Sequence, residues 1–483
     1  MLSERNYTYL GTTTGMCRKC RSVGPSRILE ERGKVYQERL CPACGNTRSL
    51  IAESFAWYAD MTNWPAKPRP GKAPRRPVKD GCPHDCGPCD FHEGCCNSAA
   101  FSVTGACDMR CPACFTCECD DTGYFMTRGE LRSIVDGLVR DSAPLDQVNL
   151  TGGEPTLHPD LAGLLEECRR PGIGRITLNS NGIRLATDGE LCRRLAGLGV
   201  HVTLSLDTLR PETSVKIHGR DVTALKLAAL DNLEKHGIGT ALLHAMVRGL
   251  NDGETGDIVG LALSRTNVHT VTIQTMTWRG QGGVGFPLQE SLPVDEAEAA
   301  LERSTAGRIK ASDFFPLPAA HPLCYGVACY LRGGKEPFSL TRLFDRAELR
   351  ELIGPGCLMR TLDEHEGLFA SAIARFGARG GDDKPLDALR GMVSGICPPG
   401  PRGTIFERQR LAGRNLLGVY IHARMDEATF DISRVAVCPD HVAGVDGRMA
   451  PACAYSLFHR TKHAESRRRE ADKVAGAQAR RSG

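Results

Sequence analysis

Short β-branched or apolar runs recur along the middle of this chain, separated by stretches with helical spacing. "AAFSVTG" (99–105), "VNL" (148–150), "RITL" (175–178), "VHVTLSL" (200–206), "GTALLHAMV" (239–247) and "VHTVTIQTM" (268–276) are the runs, short and bounded as strands are. Between them, "LRSIVDGLV" places Leu131, Ile134, Val135, Leu138 and Val139 on one helical face. "DLAGLLEEC" and "TALKLAALDNLEKHG" are amphipathic in the same way. Strands alternating with helices predict an α/β fold over residues 98–285: βαβ units, a parallel sheet, and a partial (βα)6-type barrel with ligands at the C-terminal ends of its strands. Upstream, "GKVYQERL" alternates like a strand inside a module spanning residues 1–60. The basic, proline-rich "WPAKPRPGKAPRRPVKDG" (64–81), within residues 61–97, reads as a stiff exposed connector. Residues 286–459 are less regular and predict a cysteine-containing α+β extension. Residues 460–483 are charged and nearly free of large apolar side chains, which predicts a frayed helix or disorder.

At 483 residues the chain has room for two to four domains. Sixty-one basic against 57 acidic residues give a net charge of only +4, so charge alone does not argue for nucleic acid. Aromatic content of 6% without a basic stripe argues against it too; a zinc-ribbon binding protein remains the remote alternative, with the basic tail its one support. "MLSERNYTYLGTTTG" lacks the apolar core of a signal peptide, and no run approaches ~18 apolar residues. The expectation is a cytoplasmic protein without a transmembrane segment. The 22 cysteines change the picture, because fourteen lie between Cys17 and Cys119. In a reducing compartment such clustering points to metal.

Cys17-x2-Cys20 and Cys41-x2-Cys44 form two knuckles suited to a tetrahedral S₄ site for zinc or a single iron, with disulfides as the alternative. In "GCPHDCGPCDFHEGCC", Cys82, Cys86, Cys89 and Cys95 have the spacing to complete an auxiliary cube, while a zinc site using His84 or His92 is the rival. Cys107, Cys111 and Cys114 follow a predicted strand. Three thiolates on one loop hold three irons of a [4Fe–4S] cluster and leave the fourth open. The next strands end in "LTGGEP" (150–155), "LNSNG" (178–182) and "LSLDT" (204–208). There Gly152 and Gly153 let backbone approach a ligand, and Glu154 offers an anionic acceptor to an ammonium group. Cys438 and Cys453 lie across an expected hairpin, where Cys324 and Cys329 have the chance to join them in a further cluster. Cys168 and Cys192 fall on apolar helix faces and read as core. Cys117 and Cys119 read as non-ligands.

On these residues the chain resembles the radical S-adenosylmethionine (radical SAM) enzymes, Cys107, Cys111 and Cys114 matching their cluster motif and Gly152–Pro155 their "GGEP". The resemblance implies a [4Fe–4S] cluster whose open iron is chelated by the methionine end of the cofactor, and a 5′-deoxyadenosyl radical that abstracts hydrogen. It implies Glu154 and its neighbours Gly152, Gly153 and Pro155 at the methionyl amine, and Ser180, Asn181, Ser205 and Asp207 near the carboxylate and ribose. The whole layout, from the rubredoxin-like or zinc-ribbon module to "LRGGKEPFSLTRLFD" and "VCPDH…CAY", is similar to the tetraether lipid synthase group, some of whose relatives are described as pterin methyltransferases. This implies C–C bond formation or C-alkylation on a lipid-like substrate first. Methylation of a pterin or other small heterocycle comes second. It also implies one or two auxiliary clusters and an electron donor such as a ferredoxin or flavodoxin. Tyr325, Tyr330 and His441 are the residues considered for quenching a substrate radical.

Overall fold

The structure is a computed structural model and describes residues 6–72, 77–87, 89–114, 123–142, 144–278, 286, 291–332, 337–358, 365–378, 387, 389–390, 414–444 and 447–460. Cys117, Cys119, the centre of the basic connector and the tail from 461 onward lie outside the described residues.

The N-terminal module is a meander of β1 (Thr8–Met16), β2 (Val23–Glu31), β3 (Lys34–Cys41) and β4 (Gly45–Ala52), each antiparallel to the next. The knuckles fall at its turns, between β1 and β2 and between β3 and β4. Helix α1 (Phe55–Thr62) follows, capped by the Ser54 hydroxyl on Trp57 N–H.

The core then alternates as the sequence pattern predicts. Strands β5 (Ser98–Thr104), β6 (Gln147–Gly152), β7 (Ile176–Ser180), β8 (His201–Ser205), β9 (Thr240–Met246) and β10 (Val268–Thr275) all pair in parallel. Helices α2 (Arg128–Asp141), α3 (Leu161–Glu167), α4 (Ile183–Thr187), α5 (Gly189–Gly197), α6 (Pro211–His218), α7 (Thr223–Lys235) and α8 (Thr255–Ser264) connect them, and α9 (Val294–Ser304) comes after. Of the α2 residues expected to face the core, Leu131, Ile134, Val135 and Leu138 are buried and Val139 is half-buried. Thr127 starts that helix with a capping box to Glu130.

The described residues of 286–459 build a second apolar cluster, between Phe315 and Leu416. They also lengthen the parallel sheet at both edges: β14 (Leu416–His422) pairs in parallel with β10, and β15 (Asp440–Ala443) with β5. The parallel run therefore reaches eight strands, β15-β5-β6-β7-β8-β9-β10-β14. Beyond β14 lies antiparallel β12 (Tyr325–Leu331), flanked by β11 (Phe315–Pro316) and β13 (Phe338–Ser339). Beyond β15 lies β16 (Met449–Pro451), the hairpin expected around Cys438 and Cys453. The sheet curls until its edges meet, with the Tyr325 hydroxyl donating to the Asp440 carboxylate. Tyr325 lies opposite His422 at the end of β14, whereas Asp440 lies opposite Ser98 at the start of β5. An offset of that size is what strand tilt imposes on a sheet closing into a barrel.

Alternation along the strands separates two faces. Phe101, Leu150, Leu178, Val202, Leu204, Leu242, Val271 and Val419 are fully buried against the helices, each stabilising the fold by roughly 1.5–3 kcal/mol. The residues between them are half-buried and mostly polar: Ser102, Asn149, Thr151, Asn179, Thr203, Ser205, Thr270 and Thr272. The inner face of the curled sheet is therefore mostly polar, with Ala100 on β5 and Ala241, Leu243 and Ala245 on β9 as its apolar part. Among the described residues no helix is long and apolar enough to cross a membrane.

The N-terminal module is fastened to this core through buried polar contacts. Gln37 Nε2 donates to Phe430 O (2.7 Å), Trp57 Nε1 to Glu298 Oε2 (2.8 Å) and Ser54 N–H to Asp295 Oδ2 (2.8 Å). Burial pushes the Asp295 carboxyl up to about 6. The folded chain then keeps a proton that the unfolded chain has released, so stability falls as pH rises from the ordinary carboxylate range to about 6. Asp295→Asn is expected to flatten this slope and stabilise the chain at pH 8, by on the order of 2 kcal/mol; urea denaturation at pH 4 to 8 checks it.

Candidate cluster and cofactor site

The loop after β5 carries Cys107, Cys111 and Cys114, all half-buried. Thr104 shapes its start, donating from Oγ1 to Tyr124 O (2.9 Å) and accepting from Ala106 N–H (3.1 Å). The end of β6 is pressed against it: Gly153 N–H donates to Thr104 O (2.8 Å) and Glu154 N–H to Ala106 O (2.7 Å). Two glycines are required there. A Cβ on Gly152, at φ +136°, would stand 2.2 Å from Thr104 O, and one on Gly153 2.2 Å from Ala106 O. The C-terminal end of α6 braces the far side, with Ala113 N–H donating to Ile217 O (3.3 Å) and Arg220 Nη2 to Asp108 O (3.4 Å).

Burial pushes the Cys107 thiol up to about 11 and the Cys111 thiol up to about 12, with Cys114 and Cys107 adding to the effect on Cys111. Three thiols sharing one loop and repelling one another's charge suit a cationic iron–sulfur group, which takes them as thiolates.

The strand-end residues gather beside this loop. Glu154 is 1% exposed. Its Oε1 accepts from Thr156 N–H (3.1 Å), Thr156 Oγ1 (2.7 Å) and Ser180 Oγ (2.9 Å), and its Oε2 from Asn181 N–H (2.7 Å). Asn181 also reaches the cysteine loop, from Nδ2 to Asp108 Oδ1 (2.6 Å). Asp207 accepts from Ala245 N–H at Oδ1 (2.6 Å) and has His218 Nε2 3.4 Å from Oδ2. Four donors already engage the Glu154 carboxylate, so its clearest structural work is to lock the β6 and β7 loops together. Pro155 opens a short buried turn, Pro155–Leu157, directly behind it.

The N-terminal module brings Cys17, Cys20, Cys41 and Cys44 together, their ligand atoms all within 4.8 Å of one another. Cys20 Sγ and Cys41 Sγ are 3.7 Å apart. An ion ~2.3 Å from four tetrahedral sulfurs spaces them by about 3.8 Å, so the set fits one ion. Hydrogen bonding to Ser22 brings the Cys20 thiol down to about 6, while hydrogen bonding to Cys20 pushes Cys44 up to about 12. A divalent cation between them takes all four as thiolates. We expect one metal equivalent per chain here, lost with a several-degree fall in Tm on Cys41→Ala; metal analysis and thermal melts check this.

Cys82, Cys86 and Cys89 line one cleft, with His92 also on its wall. Cys95 does not line it; its Sγ lies 3.8 Å from Asn97 Oδ1. His84 packs edge-on against Phe458. At the barrel seam, Cys438 is half-buried; desolvation and then the charges of Asp440, Cys453 and Cys324 push its thiol up. Arg434 Nε donates to Cys324 Sγ (3.3 Å). Cys329 is buried in the apolar cluster beneath α10 (Arg346–Ile353) instead, because it points with Val327 and Leu331. Cys168 and Cys192 are core, as expected. Tyr330 donates to Asp313 Oδ2 (3.0 Å) within the core, and His441 is buried edge-on to His92.

Sequence reasoning missed Lys226 and His218, both buried beside Asp207. Lys226 had a readable signal: it falls on the apolar stripe of α7 with Ala229, Leu230 and Leu233.

Residues 101–262, which carry this arrangement at the strand ends, match the Radical SAM superfamily. Residues 9–53 match the HMPTM N-terminal zinc ribbon domain. A 7,8-dihydro-6-hydroxymethylpterin dimethyltransferase of Methanocaldococcus jannaschii is 25% identical over 485 residues, covering 93% of this chain and 94% of that relative. A GTP 3′,8-cyclase of Acidothermus cellulolyticus is 34% identical over 180 residues, covering 35% of this chain and 48% of the relative. Among solved structures, Streptococcus suis SuiB bound to S-adenosylmethionine aligns over 44% of this chain and 47% of its own, with 16% identity and a TM-score of 0.37.

Proposed function

We propose that this chain is a radical SAM C-methyltransferase acting on a pterin-type heterocycle. The observation that carries the substrate class is the mostly polar inner face of the curled sheet, where Asn149, Thr151, Asn179, Thr203, Thr270 and Thr272 alternate with the outward apolar set. Such a wall offers donors and acceptors to the edges of a polar ring and little to an acyl chain. The likeness to a pterin dimethyltransferase over nearly the whole of both chains, zinc ribbon included, supports the same reading.

Cys107, Cys111 and Cys114 would hold a [4Fe–4S] cluster and leave one iron to S-adenosylmethionine. When bound, the two supply a carbon-centred radical able to take hydrogen from an unactivated carbon. The chain's own residues bind and orient. The main-chain carbonyls of Gly152 and Gly153 are offered to the methionyl amine, because the Glu154 carboxylate is spent on four donors. Ser180, Asn181, Ser205 and Asp207 hold neighbouring strand ends in register around the carboxylate and ribose. Cys82, Cys86 and Cys89, and the Cys324, Cys438 and Cys453 set, are proposed to hold auxiliary clusters, with a ferredoxin or flavodoxin as electron source.

The test gives reconstituted enzyme 7,8-dihydro-6-hydroxymethylpterin with both a sulfonium methyl donor and a reduced-folate methylene donor, and in parallel a lipid extract. A pterin product heavier by one carbon unit is expected. Turnover of the lipid in its place overturns the heterocycle reading in favour of acyl-chain coupling, which the module order shared with the tetraether lipid synthase group supports.

A further inference from the structure

Lys226 brings its side-chain nitrogen into the middle of the site and is 1% exposed; burial lowers its pKa, and the nearby acidic groups act against that. Its Nζ donates to Ser205 O (2.6 Å), Ser205 Oγ (2.8 Å) and Asn181 O (3.4 Å). The ammonium's three donors are thus divided between the loops that follow β7 and β8. Asp207, Cys111 and Glu154 are its anionic neighbours. Two of these have protein partners of their own: Glu154 has four donors, and Asp207 has Ala245 N–H and His218. Cys111 belongs to the loop that Asn181 ties to this lysine: Asn181 O accepts from Lys226 Nζ (3.4 Å), and Asn181 Nδ2 donates to Asp108 Oδ1 (2.6 Å) between Cys107 and Cys111.

We propose that Lys226 is a positioning residue for the iron–sulfur cluster, tying the β7 and β8 loops together and making the cluster easier to reduce. The proposal rests on the reading that Cys107, Cys111 and Cys114 hold that cluster. A thiolate-held cluster gains one negative charge on reduction, and a fixed cation in a water-poor site stabilises the reduced form more than the oxidised one. Asp207 and Glu154 work in the opposite sense, so removing Lys226 leaves an uncompensated acidic surround.

Lys226→Gln keeps an amide donor for Ser205 O and loses the charge; Lys226→Arg keeps the charge. Each reconstituted chain is titrated with a redox mediator series and read by EPR, first without S-adenosylmethionine, then with it while binding is measured. The expected result is a midpoint potential displaced to more negative values in the Gln chain and restored in the Arg chain, with iron content and cofactor affinity near wild type. An unmoved midpoint in the Gln chain overturns the proposal. So does a tenfold or greater loss of cofactor affinity at unchanged midpoint, which would assign Lys226 to the cofactor itself. Lys226→Met, which suits the apolar stripe of α7, replaces the Gln chain should that one not fold. A wild-type chain that assembles no cluster on Cys107, Cys111 and Cys114 fails at the underlying reading, before any variant is compared.

Discussion

Replacing Cys107, Cys111 and Cys114 together by alanine is expected to reduce 5′-deoxyadenosine formation to the level of enzyme-free buffer. The three thiols are half-buried on a loop whose backbone is held independently, by Thr104, by the β6 end and by the end of α6. Shortening them therefore removes ligands without emptying the core, and the loss in stability should be small, about 1 kcal/mol. The zinc-ribbon set lies at the turns of a separate four-stranded meander and should keep its metal. The expected combination is no cofactor cleavage, undiminished zinc and a nearly unchanged melting curve. Residual cleavage by the triple variant would remove this loop from the chemistry.

Gly153→Ala should be nearly as damaging, although it changes no ligand. A Cβ there stands 2.2 Å from Ala106 O and 2.6 Å from Gly105 O, both backbone atoms at the start of the cysteine loop, just past β5. Relief requires that β5 and β6 part at their C-terminal ends, where Gly153 N–H and Glu154 N–H hold the loop. Overpacking of this kind costs about 1–3 kcal/mol. Here the displacement falls on the ligands themselves, so iron content after reconstitution is expected to drop by more than half. Gly197→Ala, in α5 with nothing within 4 Å of the added carbon, is the matched control and should melt at or slightly above wild type. Iron analysis and thermal melts on both chains separate local crowding from a general intolerance of alanine.

The parts of the site legible in the sequence are those specified over short distances. Two C-x2-C pairs at hairpin turns cannot avoid meeting once β2 and β3 pair, and "GGEP" ends a strand that must abut the cysteine loop because consecutive parallel strands are neighbours. The short β-branched or apolar runs also match β5 to β10 within a residue or two, since each strand buries one full face. The sheet's edges were not legible. Strands β14 and β15 are short, follow irregular sequence and join β10 and β5 across long separations, so nothing local announces them. The same limit divided the later cysteines. Cys324 precedes β12 and reaches the seam, while Cys329 lies within the strand and its pleat sends it to an apolar cluster. Cys95 was grouped with Cys82, Cys86 and Cys89 by spacing, but its sulfur lies beside Asn97. The backbone leading into Cys82 is folded back by Asp85, which accepts from Lys79 N–H (2.8 Å) and Gly81 N–H (2.8 Å). No spacing rule reports such a hydrogen bond.

Glu154 has a structural role that its motif did not announce. Its acidity suggests a partner for an ammonium group, and in the structure four protein donors also surround it and fix the relation of two loops. Lys226 was overlooked for a related reason: a lysine on an apolar helical stripe looks like a surface residue out of place, and is instead buried against Ser205 and Asn181, the second of which reaches the cysteine loop at Asp108.

The measurement that tests this account most directly is anaerobic reconstitution of the wild-type chain, with iron, sulfide and zinc counted on the same sample. S-adenosylmethionine and a low-potential reductant are then added and 5′-deoxyadenosine is assayed. The account predicts iron and sulfide in cluster proportion, one further metal ion in the N-terminal module, and 5′-deoxyadenosine formed only under reduction. Zinc alone, with no cleavage product, would contradict it.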